Sequence, residues 1–500
     1  MNRSKKAMLN ISSQLLLQLV TAICGFIVPK LILDSFGSET NGIVASISQF
    51  LGVISLMESG FASVAKSAFF KPLAKNDHAG ISGVYNATES FFHKVAYVFL
   101  AYCVGLAFVF PFIRENSLGY WLTVLLVLIV GINSFMQYYL GISYTVLLNA
   151  DQRGYFSTFA QIITIVLNAF MTVLLLRWGA SIHIVKLVSA AVFILKPIVV
   201  NLYGRYRYRI DKHCPPNQKS VAQKWDNLGQ SVALYVHTKT DYIITTIFLS
   251  FSDVSIYSVY SLVTTSLSAI ISSISTGFVS GLGNMYAGGE KENFNKVFSL
   301  YTFLNTLASF SFYAIAFVLL LPFVRIYTAN LTDANYIRPW FGAALIVAEL
   351  IYCLRLPYYY MATNAGHFKN IKRGAYLEAG INIVLSLILV HFLGILGLAI
   401  ATLVAMTFRT VEIILYSSKH ILEHSPLVAL KRTLVNLGGA ALAVFLSSLI
   451  PYQATSFLTW FILAIMVAAV VVAVMCVVNF IFYRKDFALF FQKIKSVLKR

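Results

Sequence analysis

Pro111-Phe112-Ile113-Arg114 closes one long apolar run of this chain, and Pro322-Phe323-Val324-Arg325 closes another 211 positions later. The offset recurs with small drifts of the kind that loop insertions produce. Phe50 to Gly60-Phe61 runs parallel to Thr265 to Gly277-Phe278, Asn149 matches Asn364, Ala150 matches Ala365, Asn168 matches Asn382, and Leu202-Tyr203 falls on Leu415-Tyr416. A sequence written twice folds as two copies of one unit. The copies run roughly from 11 to 203 and from 227 to 416, and everything after about 433 lies outside them.

Each copy contains stretches of about 20 apolar residues, the length a helix needs to cross a bilayer. The first six are Ile11 to Leu33, Gly42 to Ser63, Phe91 to Ile113, Trp121 to Leu148, Phe156 to Leu176 and Ile182 to Tyr203. The second six are Leu228 to Leu249, Ser255 to Gly283, Val297 to Val324, Trp340 to Met361, Ala375 to Phe392 and Ile395 to Tyr416, with Leu434 to Ile450 and Phe457 to Phe482 following. The expectation is an all-α polytopic membrane protein of about fourteen transmembrane helices, in two pseudo-symmetric six-helix bundles plus two C-terminal helices. The boundaries are 1–210 for the first bundle, 211–226 for a cytoplasmic linker, 227–420 for the second bundle, 433–483 for the additional pair and 484–500 for a basic amphipathic tail. With 58% hydrophobic and 11% charged residues, the chain has no room for a soluble catalytic domain.

Lysine and arginine stay on the cytoplasmic side during insertion. With the N-terminus inside, 28 of the 38 cations fall in cytoplasmic segments, and four, Arg114, Arg177, Arg325 and Arg338, fall in outer loops. Both termini are then cytoplasmic, and the net charge of +19 is largely a topology signal rather than a sign of nucleic-acid binding. Cys24, Cys103, Cys214, Cys353 and Cys476 are scattered singly, without metal-ligand spacing. No GxxxxGK[ST] and no strand-turn-helix GxGxxG occurs, which argues against a nucleotide. No cofactor is expected, apart from a coupling ion, H+ or Na+.

The candidate contacts of a translocation path are polar groups within the apolar stretches, where each charge costs a few kcal/mol and tends to face a cavity or a partner. In the eighth segment Ser258, Ser261, Thr265, Ser268, Ser272 and Ser275 recur at steps of three and four, on one stripe. That stripe suits either close helix packing or a hydrated wall. Its first-half counterpart is Ser48, Gly52, Ser55 and Ser59, with Glu58 beside it. Lys239 and Asp241 sit at the middle of the seventh segment on different faces, and His237 shares a face with Asp241. Lys196 and Arg409 occupy corresponding places in the two copies, and Glu412 stands where it can neutralise Arg409. Arg355 and Glu349 lie on different faces of the tenth segment, and Lys30 lies near the outer end of the first.

The run GFIVPKLILDSFGSETNGIVASISQFLGVISLMESGFASVAKSAFFKPLAKND, with Gly37, Gly42 and Gly60 ahead of a basic loop at Lys66, Lys71 and Lys75, resembles the start of the bacterial polysaccharide repeat-unit flippases (O-antigen, capsule or exopolysaccharide). LNADQRGYF at Leu148 resembles that family's loop after its fourth helix. The resemblance implies the multidrug/oligosaccharidyl-lipid/polysaccharide (MOP) exporter superfamily. It further implies a central cavity formed by the first, second, seventh and eighth helices, and alternating access. The implied substrate is an undecaprenyl-diphosphate-linked oligosaccharide in a bacterial cytoplasmic membrane, with cations meeting the diphosphate and hydroxyls the glycan. Membrane lipids and polysaccharide polymerase and assembly proteins would be its partners. A multidrug or small-molecule antiporter of the same superfamily, and a membrane glycan polymerase or ligase, are the competing readings. The short outer loops oppose the enzyme.

Overall fold

The computed structural model describes residues 3–217, 239–422, 425–484 and 486–487. All regular structure among them is helical, and the chain parts into two compact units, Met1–Ser255 and Ile256–Arg500. Unit 1 holds α1 (Arg3–Leu51), α2 (Ser55–Lys75), α3 (His78–Ile113), α4 (Tyr120–Met136), α5 (Ile142–Ala150), α6 (Gly154–Arg177), α7 (Ile182–Tyr208), α8 (239–248) and the start of α9 (Phe251–Ala287). Unit 2 holds the rest of α9 and α10 (Lys291–Tyr327), α11 (Pro339–Asn364), α12 (Phe368–Leu393), α13 (Ile395–Ser417), α14 (Leu427–Ser448) and α15 (Phe457–Phe482).

Twelve helical runs among the described residues are long and apolar enough to cross a membrane, and this is a multi-pass membrane protein. The sequence predicts fourteen, and the difference lies at two places. One run, Met8–Ile54, takes in the first predicted span and the first part of the second, whose remainder belongs to α2, and most of the predicted seventh span lies outside the described residues. Within α1 the backbone breaks at Gly37 (φ 79°, ψ 178°), a conformation that a Cβ disfavours, so the continuous run is two helices meeting at a kink.

The lysines predicted to form a loop after Gly60 are instead helical. α2 continues to Lys75 and stops at left-handed Asn76, and Asp77 then caps α3 by accepting from the Gly80 amide at 2.9 Å. α3 is 36 residues long, about 54 Å at 1.5 Å per residue, against an apolar bilayer core of about 30 Å. In the second copy α9 and α10, each 37 residues, repeat the arrangement. An apolar window cannot register such extensions, because the helix outlasts its hydrophobicity.

In unit 1 a core of Phe61, Phe92, Phe99, Phe110 and Tyr144 joins α2, α3 and α5. In unit 2 the pair α14 and α15 packs against α10 through Phe310, Ala314, Ala443, Val467, Val471 and Met475. Lipid is as apolar as leucine, so polar contacts fix such a pair. Asn479 donates to Asn436 Oδ1 at 2.9 Å, a bond worth roughly 1 kcal/mol in a membrane. At one end of the pair Arg432 donates to Thr302, to the Ser299 carbonyl at 3.0 Å and to Asp486 at 2.8 Å. The expected amphipathic tail lies almost wholly outside the described residues.

Candidate functional site

Unit 1 contains a cavity of about 50 Å³ lined by Glu58 of α2, Lys196, Pro197 and Val200 of α7, Ile142 and Thr145 of α5, and Gln137 and Gly141. The last two belong to a π-helical turn, Gln137–Gly141, that joins α4 to α5. Such turns loosen the helical ladder and expose carbonyls. Here the Leu140 carbonyl accepts from Asn201 Nδ2 at 2.8 Å, and the turn carries Tyr138 toward Glu58, where its hydroxyl donates to Oε2 at 2.7 Å. Lys196 donates to Gln161 Oε1 of α6 at 3.1 Å and lies within electrostatic reach of Glu58. The two charges line the same cavity without an ion pair within 4.0 Å.

Arg409, at the matching place in unit 2, is closed in. Its Nε lies 3.8 Å from Glu378 Oε2 and its Nη1 donates to Glu412, the neutralisation predicted from their spacing. Glu378 also accepts from Arg355 Nη1 at 2.7 Å, and the Arg355 guanidinium lies 4.7 Å from the centre of the Tyr352 ring. Two cations and two carboxylates so form a neutral cluster between α11, α12 and α13. Gly374 makes room for it, since a Cβ there would collide with Arg409 Nη1 and Glu412 Oε2.

Lys239 is half-buried at the first described residue of α8 and makes no hydrogen bond or ion pair with any described residue. Asp241 is buried, with its backbone carbonyl accepting from Thr245 at 2.6 Å. His237 lies outside the described residues. Lys30 pairs with Asp34 one turn on, at 2.5 Å.

The hydroxyl stripe of α9 divides. Ser261, Ser268 and Ser275, seven residues apart, are buried within unit 2, while Thr265 is exposed and Ser272 half-buried. Thr265 and Ser268 donate to carbonyls of their own helix, Ser261 and Thr265, at 2.5 and 3.0 Å. Ser275 also donates to Asn305 of α10 at 3.2 Å. Close packing accounts for the seam at 261, 268 and 275, and the open flank keeps Thr265 and Ser272.

Four residues of these sites were not singled out from sequence. Glu378 and Lys186 are ionisable residues inside predicted spans, so a scan of every such residue finds them. Lys186, half-buried on α7, makes no hydrogen bond or ion pair with any described residue. Tyr138 and Gln161 are neutral and carry no such signal.

No protein-family model matches the chain, and no curated protein matches it in sequence. Solved structures do match its fold. The lipid II flippase MurJ in an inward closed conformation aligns with a TM-score of 0.69 at 17% identity, over 94% of this chain and 99% of that one. An inward-facing multidrug resistance MATE family transporter of the MOP superfamily aligns at 0.66 and 14%, over 80% and 94%. A MOP superfamily transporter from Pyrococcus furiosus, described by the reverse polarity of its binding pocket, aligns at 0.54 and 14%, over 84% and 95%. The chain shares the fold of these three structures. Within that fold unit 2 holds a closed cluster of charges, while three half-buried lysines of unit 1, Lys186, Lys196 and Lys239, make no ion pair with a carboxylate among the described residues.

Proposed function

We propose that this chain is a flippase that moves undecaprenyl-diphosphate-linked oligosaccharide from the cytoplasmic to the outer leaflet of a bacterial cytoplasmic membrane by alternating access, with both termini cytoplasmic. Lys239 carries the reading. A lysine at the centre of a span costs about 3 kcal/mol on the insertion scale, and neither Asp241 nor any other described residue offsets it. A mobile anion such as a diphosphate would. Arg355 and Arg409, already neutralised by Glu378 and Glu412, drop out as substrate contacts.

The flippase neighbour supports the reading because the likeness runs over 94% of this chain, against 80% for the inward-facing multidrug transporter. A multidrug antiporter that collects cations would place acids where this chain places lysines. Flipping makes and breaks no covalent bond, so the chain is read as a transporter and not an enzyme, with polymerase and assembly proteins consuming its product.

The test is surface glycan in cells carrying Lys239 variants. Lys239→Ala should abolish it while the protein remains inserted, and Lys239→Arg should keep part, since the charge persists in a planar form. In the double variant Lys239→Ala, Asp241→Ala, export should stay abolished. Full export in the double variant overturns the assignment.

A further inference from the structure

In unit 2, α11 packs between α10 and α13 and is grooved on both flanks. Against α13, Trp340, Ala344 and Val347 face Leu396, Ile400 and Leu403 around a cavity of about 340 Å³, lined by apolar side chains throughout. Against α10, Trp340, Gly342 and Ile346 face Phe317, Leu320 and Leu321 around a second, of about 220 Å³. Trp340 and Ala343 line both, so the grooves start at the same end of α11 and run down either side of one ridge. Small residues open them: at Gly342, Ala343 and Ala344 no side chain is longer than a methyl, and a Cβ at Gly342 would meet the Tyr260 ring at 2.8 Å. From Trp340 to Val347 the helix rises about 10 Å, against about 15 Å for one leaflet's half of the hydrocarbon core. That is the reach of a lipid chain.

The mouth of the grooves is positive. Arg338 stands one residue ahead of the span and is exposed. Its backbone is fixed, since its amide donates to the Tyr260 hydroxyl at 2.9 Å, and that hydroxyl donates to the Tyr336 carbonyl at 2.8 Å. Its guanidinium makes no hydrogen bond or ion pair with any described residue. Arg325, one helical turn beyond Leu321 in the last turn of α10, is exposed and equally unpaired among the described residues. Asp333 is the one acid between the two arginines in sequence, so two cations less one anion leave a net +1 at this end. Trp340, 78% exposed, is the residue type that settles at a membrane boundary.

We propose that α11 carries a binding site for one anionic glycerophospholipid, its two acyl chains astride the Trp340 and Ala343 ridge and its phosphate drawn to Arg338 and Arg325. The site is separate from any translocation path and does not depend on what the chain transports. An arginine fork takes two phosphate oxygens at once. A zwitterionic lipid offers the same phosphate, but its own ammonium cancels the charge, so the net positive mouth selects an anionic head.

The test places the full chain in phosphatidylcholine nanodiscs in which a minor fraction of the lipid carries brominated, fluorescence-quenching acyl chains. The difference in tryptophan emission between wild type and Trp340→Phe isolates Trp340. Brominated phosphatidylglycerol should quench it at an about fivefold lower fraction than brominated phosphatidylcholine, the preference one cation at a membrane surface supplies. Arg338→Gln combined with Arg325→Gln should erase that preference, Arg338→Lys should keep part of it, and high salt should weaken it. Equal quenching by the two lipids, or a preference that survives the double variant, overturns the site. So does the absence of quenching by either lipid, which would mean that another copy of the chain covers the face. If the double variant does not insert, native mass spectrometry of the wild type decides: from an equimolar mixture one phosphatidylglycerol should stay bound per chain, and equal retention of phosphatidylcholine overturns the site. Ala344→Leu, which fills one groove and leaves both arginines in place, should lower that occupancy, and unchanged occupancy would remove the acyl chain from the groove.

Discussion

Arg355 and Glu378 face each other across α11 and α12, Nη1 2.7 Å from Oε1, and neither side chain is more than a tenth exposed. A contact of this kind adds little over an apolar pair of the same volume, but removing one partner strands a buried charge. Glu378 serves both Arg355 and Arg409, so Glu378→Gln should be the more damaging single change. We expect it to destabilise the protein by about 3 to 5 kcal/mol, read as a fall in the unfolding temperature of the purified chain. Arg355→Met combined with Glu378→Leu should recover part of the loss. A Glu378→Gln protein as stable as wild type would remove the network as an anchor of unit 2.

The division of the α9 stripe predicts an order of chemical access. Single cysteines in a cysteine-free background should react with a small water-soluble thiol reagent fastest at Thr265 and more slowly at Ser272. They should be slowest at Ser261, Ser268 and Ser275, which are buried against unit 2. Equal reactivity at Ser268 and Thr265 would contradict the packed seam.

Outside the spans, Lys6 donates to the carbonyl and to Oδ1 of Asp151 at 2.9 and 3.0 Å, and Arg153 and Tyr208 reach its other oxygen at 2.7 and 2.8 Å. Burial alone would push the Asp151 carboxyl up, but the hydrogen bonds from Tyr208 and Lys6 and the charges of Lys6 and Arg153 outweigh it and hold it below the usual carboxylate range. A group lowered on folding stabilises the fold above its unfolded value, about 3.9, and loses that contribution as pH falls through the lower folded value. Asp151→Asn should cost about 1 kcal/mol at neutral pH and flatten the acid limb of a stability profile. An unchanged acid limb would show that this cluster does not hold α1 to the loop between α5 and α6.

Orientation is open to direct measurement. Reporter fusions at Gly37, Lys219, Asn330 and Arg500 should read outside, inside, outside and inside, following the cation asymmetry. A C-terminus read on the outer side would remove the six-plus-six-plus-two arrangement.

The all-α membrane fold was legible in the sequence because length and hydropathy dictate it: a backbone in lipid must satisfy its own hydrogen bonds, and about 20 apolar residues do so as one spanning helix. The pairing of Arg409 with Glu412 was legible for the same local reason, since three residues along a helix is one face. What lay beyond was set by contacts between residues far apart in the chain. Arg355 stood in the sequence as a candidate contact within its span, with nothing to show that α12 brings Glu378 to it, and the hydroxyl stripe suited packing or a hydrated wall alike, with nothing to show that Ser275 meets Asn305 of α10. The asymmetry between Lys196 and Arg409 was invisible too, because the sequence places both at the same register. Only packing decides which cation meets a carboxylate directly and which meets one across a cavity, since Coulomb energy depends on a distance that periodicity along one helix does not contain.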